Sequence, residues 1–199
     1  NQNGDSVLIA QADKSGRYVG EVTLDLDNGD KHSKVIAVDS RLDRVEPDST
    51  MVNLIAIYRQ GVDGLMNQGV ATAVVDLKND EAPLQNYVSD MVLSQAKKIY
   101  GKDIDLSIMN SGGIRNDIAK GKVSIGQIMG LLPFNNRIVV MTITGKDLLE
   151  AFDVMASRGG DCVSENVDAV FDAETKKCMI VKINGEQVNP QKIYTLATI

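Results

Sequence analysis

The chain has 199 residues, 43% hydrophobic and 24% charged, and 21 basic against 27 acidic side chains leave a net charge of −6. That length allows one or two domains with a real core, and the aliphatic content excludes disorder. An acidic balance with three Phe, five Tyr and no Trp argues against a nucleic-acid polymer as partner, and no apolar run approaches the roughly 20 residues of a membrane span.

Residues 6–12 and 18–26 alternate apolar and polar and read as strands, joined by a turn over 13–16. Asn28-Gly29 is a hairpin signal, and 34–37 reads as the returning strand, so residues 1–46 form a β-meander that belongs to a larger sheet. The one histidine, His32, falls in a polar stretch, 28–33, and reads as solvated loop. A single His excludes a histidine-rich metal site. Pro47 opens a helix with Asp48 or Ser49 as N-cap. Met51, Leu54, Ile55, Tyr58, Val62 and Leu65 mark its apolar face. Residues 47–69 read as a connecting helix and step between two domains.

A second domain is expected over 70–199. It begins with a strand at 71–75 and a helix over 83–100, with Pro83 in its first turn and Gly101 past its end. A strand over 104–109 follows, then a short helix within 123–132 capped by Ser124. Next come a strand over 137–144, a helix from 144–147 to about residue 157, a hairpin or meander over 167–185 with Asn184-Gly185 as a tight turn, and a strand over 193–199. Strands and helices mix without a strict βαβ repeat. The fold class is therefore α+β, a mixed sheet with flanking helices. Cys162 and Cys178 would close a loop of about 17 residues if bridged, worth about 3 kcal/mol, and the sequence is equally compatible with two buried thiols. The chain stops inside an apolar run, so it reads as a piece of a longer protein.

Two stretches carry chemistry. In Ser107-Ile-Met-Asn-Ser-Gly-Gly-Ile-Arg-Asn116 a strand delivers Asn110 to a turn. Gly112 and Gly113 leave room for a ligand to approach the backbone. Arg115 supplies a planar cationic fork for carboxylate or phosphate, and Asn110 an amide for a hydroxyl or phosphate oxygen. A plain Gly-Gly turn with a solvated Arg fits the same spacing. In Leu131-Leu-Pro-Phe-Asn-Asn-Arg137, Phe134 beside the amides Asn135 and Asn136 is suited to stack on a flat base; a core plug is the alternative.

Together with Glu81-Ala-Pro-Leu-Gln-Asn-Tyr-Val-Ser-Asp90, residues 139–150, Asn184-Gly-Glu-Gln-Val188 and Tyr194-Thr-Leu-Ala-Thr198, these stretches resemble the C-terminal substrate-binding domain of the 5′-nucleotidase family. That family includes UDP-sugar hydrolases and 2′,3′-cyclic phosphodiesterases. Residues 1–46 resemble the last strands of its metallophosphatase domain. The resemblance implies a parent phosphohydrolase that releases phosphate from nucleoside phosphates with two divalent metal ions (Zn, Mn, Co or Mg). Those metals would be bound by an N-terminal metallophosphatase domain outside this chain, so no catalytic or metal-ligating residue is expected here and the chain alone is expected to be inactive.

It further implies a nucleotide or nucleoside as partner, held by Asn110, Gly112, Gly113, Arg115, Phe134 and Asn136. A second stacking Phe would begin just after Ile199. Where the family carries an Arg before the helix opening, this chain reads Leu77-Lys-Asn-Asp-Glu81, with Lys78 as a candidate point charge in place of the fork. Gln85 likewise replaces the usual Gly. The family rotates this domain on a hinge, expected at 49–69, and works in the periplasm, secreted or at the cell surface. The alternative is a stand-alone nucleoside- or nucleotide-binding module without catalysis.

Overall fold

The computed structural model describes residues 7–14, 16–39, 45–101 and 103–199, and the chain divides into two compact units, one through Arg59 and one from Gln60 to Ile199. In the first unit β1 (Tyr18–Leu24) and β2 (Lys31–Ala37) pair antiparallel, Tyr18 opposite Ala37 and Leu24 opposite Lys31. The connection is longer than the two-residue turn expected at Asn28-Gly29. The Asp25 carboxylate accepts the Asp27 N–H at 2.9 Å and the Asn28 side chain accepts the Asp30 N–H at 2.8 Å. Side chains thus satisfy the loop's backbone donors. His32 lies in β2 opposite Thr23, so it is exposed as expected but on a strand. Residues 7–12 join no ladder and are not a strand; Ser6 and Ser15 lie outside the described residues.

Helix α1 (Ser49–Met66) begins where Asp48 accepts the Met51 N–H at 3.0 Å, which makes Asp48 the cap. None of its residues is buried, and the face from Met51 to Leu65 has no covering layer among the described residues.

The second unit is built around a four-stranded mixed sheet of order β6 (Val139–Thr144), β11 (Ile193–Thr198), β4 (Leu106–Met109), β7 (Cys162–Val163). β11 runs parallel to β4 and antiparallel to β6. The two-residue period of β4 divides its side chains between two layers. Met109 joins the cluster with Leu84, Val88, Val92 and Ala96 of α2 (Ala82–Tyr100). Leu106 joins the cluster with Leu148, Phe152 and Met155 of α4 (Gly145–Arg158). β11 alternates in the same way, with Tyr194 and Leu196 on the α4 side and Ala197 on the α2 side. Beyond α4 lie β8 (Val167–Asp172), β9 (Lys177–Ile183) and β10 (Glu186–Gln187), an antiparallel sheet of order β10-β9-β8. The turn between β9 and β10 has φ of +52° at Asn184 and +80° at Gly185, as a two-residue hairpin of Asn-Gly type requires.

Local signals explain most boundaries. Pro83 stands in the first turn of α2, and Gly101 ends it at φ +58°, donating to the Lys97 carbonyl. Ser124 and Gln127 form a reciprocal capping box on α3 (Ile125–Leu131). Two strands escaped the periodicity, β7 and β5 (Gly121–Ser124), which pairs with β3 (Gly69–Ala73); both are too short to carry a period-2 pattern.

Cys162 and Cys178 are free thiols, one fully buried, the other half-buried and packed against the opposite hydrophobic cluster. Burial pushes the Cys162 thiol up to about 12, and burial also raises that of Cys178. At pH 8, iodoacetamide is expected to label Cys178 slowly and leave Cys162 unmodified until the protein unfolds, as checked by intact mass with and without denaturant. A second test concerns Gly145, whose N–H donates to the Lys192 carbonyl at 2.7 Å. A Cβ there would run into the Asn189 carbonyl. Gly145→Ala should cost about 1–3 kcal/mol, read as a lowered urea midpoint.

Candidate functional site

The site begins where β4 leaves the sheet. Met109, 2% exposed, anchors the strand end. Asn110 follows in extended conformation, and Ser111–Gly113 form a single tight helical turn. The Ser111 N–H donates to the Asp161 carboxylate at 2.8 Å. The carboxamide of Asn110 lies beside the two glycines, because a Cβ on Gly112 would stand 3.5 Å from its Nδ2 and one on Gly113 3.7 Å from its Oδ1. Neither glycine has positive φ. Gly112 is exposed, and its missing side chain leaves that part of the turn uncovered, whereas Gly113 is buried; the backbone conformation itself does not demand glycine.

The loop then runs back to the core. Ile114 is buried, and the Arg115 N–H donates to the Leu131 carbonyl at 2.9 Å. This bond sets Arg115 beside the segment that carries Phe134. The guanidinium carbon lies 5.0 Å from the centroid of the Phe134 ring, a cation–π pairing worth about 0.5–1 kcal/mol at an exposed position. Phe134 is 49% exposed, so it is not a core plug. The same ring lines a cavity of about 220 Å³ with Val88, Met91, Val92 and Gln95 of α2, Asn136 and Ile199. The lining is apolar apart from two carboxamides. Nearby, Lys78 pairs with Asp117 at 3.0 Å, and the same carboxylate accepts the Asn79 N–H at 2.9 Å. These contacts hold Asp117 below the usual carboxylate range, the Asn79 bond first, and raise Lys78. Among the described residues no group of three His, Cys, Asp or Glu is placed to hold a metal ion.

A family model described as 5′-nucleotidase, C-terminal domain, matches residues 66–199. The chain belongs to this family. It is 29% identical over 95% of its length to Endonuclease YhcR of Bacillus subtilis, of which it spans 16%. It is 25% identical over its whole length to Protein UshA of Escherichia coli, of which it spans 40%. Among solved structures, a 5′-nucleotidase precursor of Thermus thermophilus is similar at 26% identity and a TM-score of 0.72, over all of this chain and 43% of that one. The chain therefore spans less than half the length of these relatives.

Within this 5′-nucleotidase C-terminal domain, the residues singled out from the sequence fall into three neighbouring groups. Arg115, Phe134 and Asn136 form one constellation at the cavity mouth. Asn110, Gly112 and Gly113 form a second on the turn that precedes Arg115. Lys78 stands in a third, joined to Asp117. Sequence reasoning missed Gln95 and Asp161. Gln95 is on α2 one turn from Met91, in a helix whose sequence signals, Pro83 and Gly101, mark only its ends, and Tyr87 and Met91 on that helix are exposed. Asp161 follows Gly159-Gly160, a pair that marks a loop but not its role. Asp161→Ala should remove the charged acceptor of the Ser111 N–H, worth about 1.5–3 kcal/mol locally. Amide exchange at Ser111 is then expected at least about tenfold faster, with α2 protection unchanged.

Proposed function

We propose that this chain is the nucleotide-recognising part of a metal-dependent 5′-nucleotidase-type phosphohydrolase that releases phosphate from nucleoside phosphates. One observation carries the reading. An exposed aromatic ring, Phe134, is backed by a guanidinium and opens onto an apolar cavity whose polar side chains are the amides Asn136 and Gln95. A flat base can stack on such a ring while amides, which donate and accept at once, pair with its edge. The turn at Gly112, with the Asn110 carboxamide beside it, offers the exposed backbone and amide that a sugar or phosphate oxygen needs, and Arg115 supplies positive charge between the two.

The relatives support the hydrolytic half of the reading: a 5′-nucleotidase of Vibrio vulnificus is 25% identical over 97% of this chain. Two divalent metals would be held by an N-terminal metallophosphatase domain of the parent protein, where they would activate water and clamp the reacting phosphate. The residues of this chain would bind and orient the nucleoside. Ile199 lines the wall of the same cavity.

Titration with adenosine and AMP, followed by backbone amide shifts, is expected to perturb Asn110, Arg115, Phe134 and Asn136. Phe134→Ala should weaken adenosine binding about 5- to 100-fold, the loss of roughly 1–3 kcal/mol of stacking. Unchanged affinity, or shifts confined to residues outside the cavity and the 110–116 loop, would remove the reading.

A further inference from the structure

The ladder between β6 and β11 fixes which way each backbone group of β6 points. The Gly145 N–H donates to the carbonyl of Lys192, the residue directly opposite it in the register that sets Thr144 against Ile193. Hydrogen-bonded pairs alternate along an antiparallel ladder. Val139, Met141 and Ile143 therefore bond toward β11, whereas Val140, Thr142 and Thr144 turn their backbone groups away from it. Bonds outside the ladder agree with this parity. The outward carbonyl of Ile138 accepts the Tyr100 hydroxyl at 3.0 Å, and Thr195, opposite Thr142, donates to Asp105 on the far side of β11. β6 is the end strand of its sheet. Among the described residues nothing bonds to the backbone groups of Val140 and Thr142 or to the Thr144 N–H. The other edges of the two larger sheets are only two residues long, as in β7 and β10, or carry charge, as in β8 with Asp168 and Asp172. Short or charged edges are how proteins prevent a further strand from adding. β6 has neither protection.

We propose that the open edge of β6 pairs antiparallel with the same edge of a second copy of this chain, about a two-fold axis through Thr142. An antiparallel edge is its own complement, because one surface serves both partners across such an axis. No charged residue stands between Ile138 and Gly145, so two copies of a chain with a net charge of −6 meet here without like charges face to face. Charges of opposite sign flank the run. Arg137 precedes it and, among the described residues, has no acidic partner at ion-pair distance. Asp147 lies just beyond it, in the first turn of α4. These flanks choose the register. Pairing centred on Thr142 carries the Arg137 end of each copy to the Asp147 end of the other. It also sets Thr142 against its counterpart and aims the Thr144 N–H at the Val140 carbonyl of the other copy. Met141, exposed on the α4 side of the sheet opposite Leu196, then lies beside Ile143 of the other copy. The result is one sheet continuous through both copies.

The test combines sedimentation with amide exchange on the whole chain. Sedimentation is expected to show a monomer–dimer equilibrium with a Kd on the order of 10–100 µM, that of a small interface. Thr142→Lys, at an exposed position, sets like charges opposite one another and should weaken association about fivefold. Thr142→Pro removes an outward donor and should abolish association, while the ladder to β11 survives because the lost N–H does not serve it. In dilute protein the Val140, Thr142 and Thr144 amides are expected to exchange fast. Above the Kd they should slow about tenfold, with Val139, Met141 and Ile143 protected throughout. A chain that stays monomeric up to millimolar concentration overturns the proposal. So does a dimer in which those three amides still exchange fast, or one that Thr142→Pro leaves intact, since it would use another surface. Protection of the three amides in dilute monomer also overturns it, because another part of the chain would then occupy the edge.

Discussion

The second unit depends on how the short strand β4 is held. Its serine, Ser107, is fully buried against an equally buried Ser89 of α2, and the two hydroxyls lie 2.6 Å apart. The Ser107 hydroxyl also donates to the Ser89 carbonyl at 2.8 Å, and its backbone N–H donates to the Ser164 hydroxyl at 3.0 Å. Each of these groups would cost about 1–3 kcal/mol if left unpaired in the interior. The small hydroxyls let helix and strand approach closely, and their mutual bonds fix the sliding position of one on the other. Everything that makes the candidate site follows from that position, since Asn110 leaves the sheet three residues later and Val88, beside Ser89, lines the cavity.

From this anchor the site is assembled by backbone bonds. The Ser111 N–H is held by Asp161 from the loop after α4, the Arg115 N–H by Leu131 at the end of α3, and the Asn116 side chain by the Gly130 carbonyl. Two segments, α3 and the loop after α4, thus converge on one loop. The exposed groups, Arg115 and Phe134, meet because their backbones are fixed in this way; their own attraction adds little. The fold supplies rigidity and the loop supplies chemistry, the usual division of labour for binding residues.

Much of this was legible in the residues. Pro83, Gly101, Ser124 and Asn184-Gly185 act through local backbone physics, and all four stand where their chemistry places them. The mixed sheet followed from irregular element order, and the informative loop from the residue types at 110–115. What stayed hidden depends on distance in sequence. Nothing local joins Lys78 to Asp117, Ser111 to Asp161, or Gln95 to Asn136. The alternation over residues 7–12 suggested a strand that has no ladder to join, and a period is only a permission until a partner is present. The spacing in α1 named a coherent apolar face, from Met51 to Leu65, that has no covering layer among the described residues. The state of the cysteines was undetermined for the same reason, since spacing alone does not say that Cys162 and Cys178 face opposite clusters.

The position of β11 in its sheet has a kinetic consequence. It comes after both β4 and β6 in chain order, yet it lies between them and bonds to both. Until it arrives, those two strands have no common neighbour, and the clusters on both faces lack Ala197, Tyr194 and Leu196. β11 therefore joins its sheet by insertion between two strands rather than by addition at an edge, with contacts that span 90 residues and more, as in the Thr195 N–H that donates to Asp105. Long-range pairings of this kind slow folding. During synthesis, the partly emerged domain would present an open slot between β4 and β6, lined by apolar residues, until β11 is released to fill it.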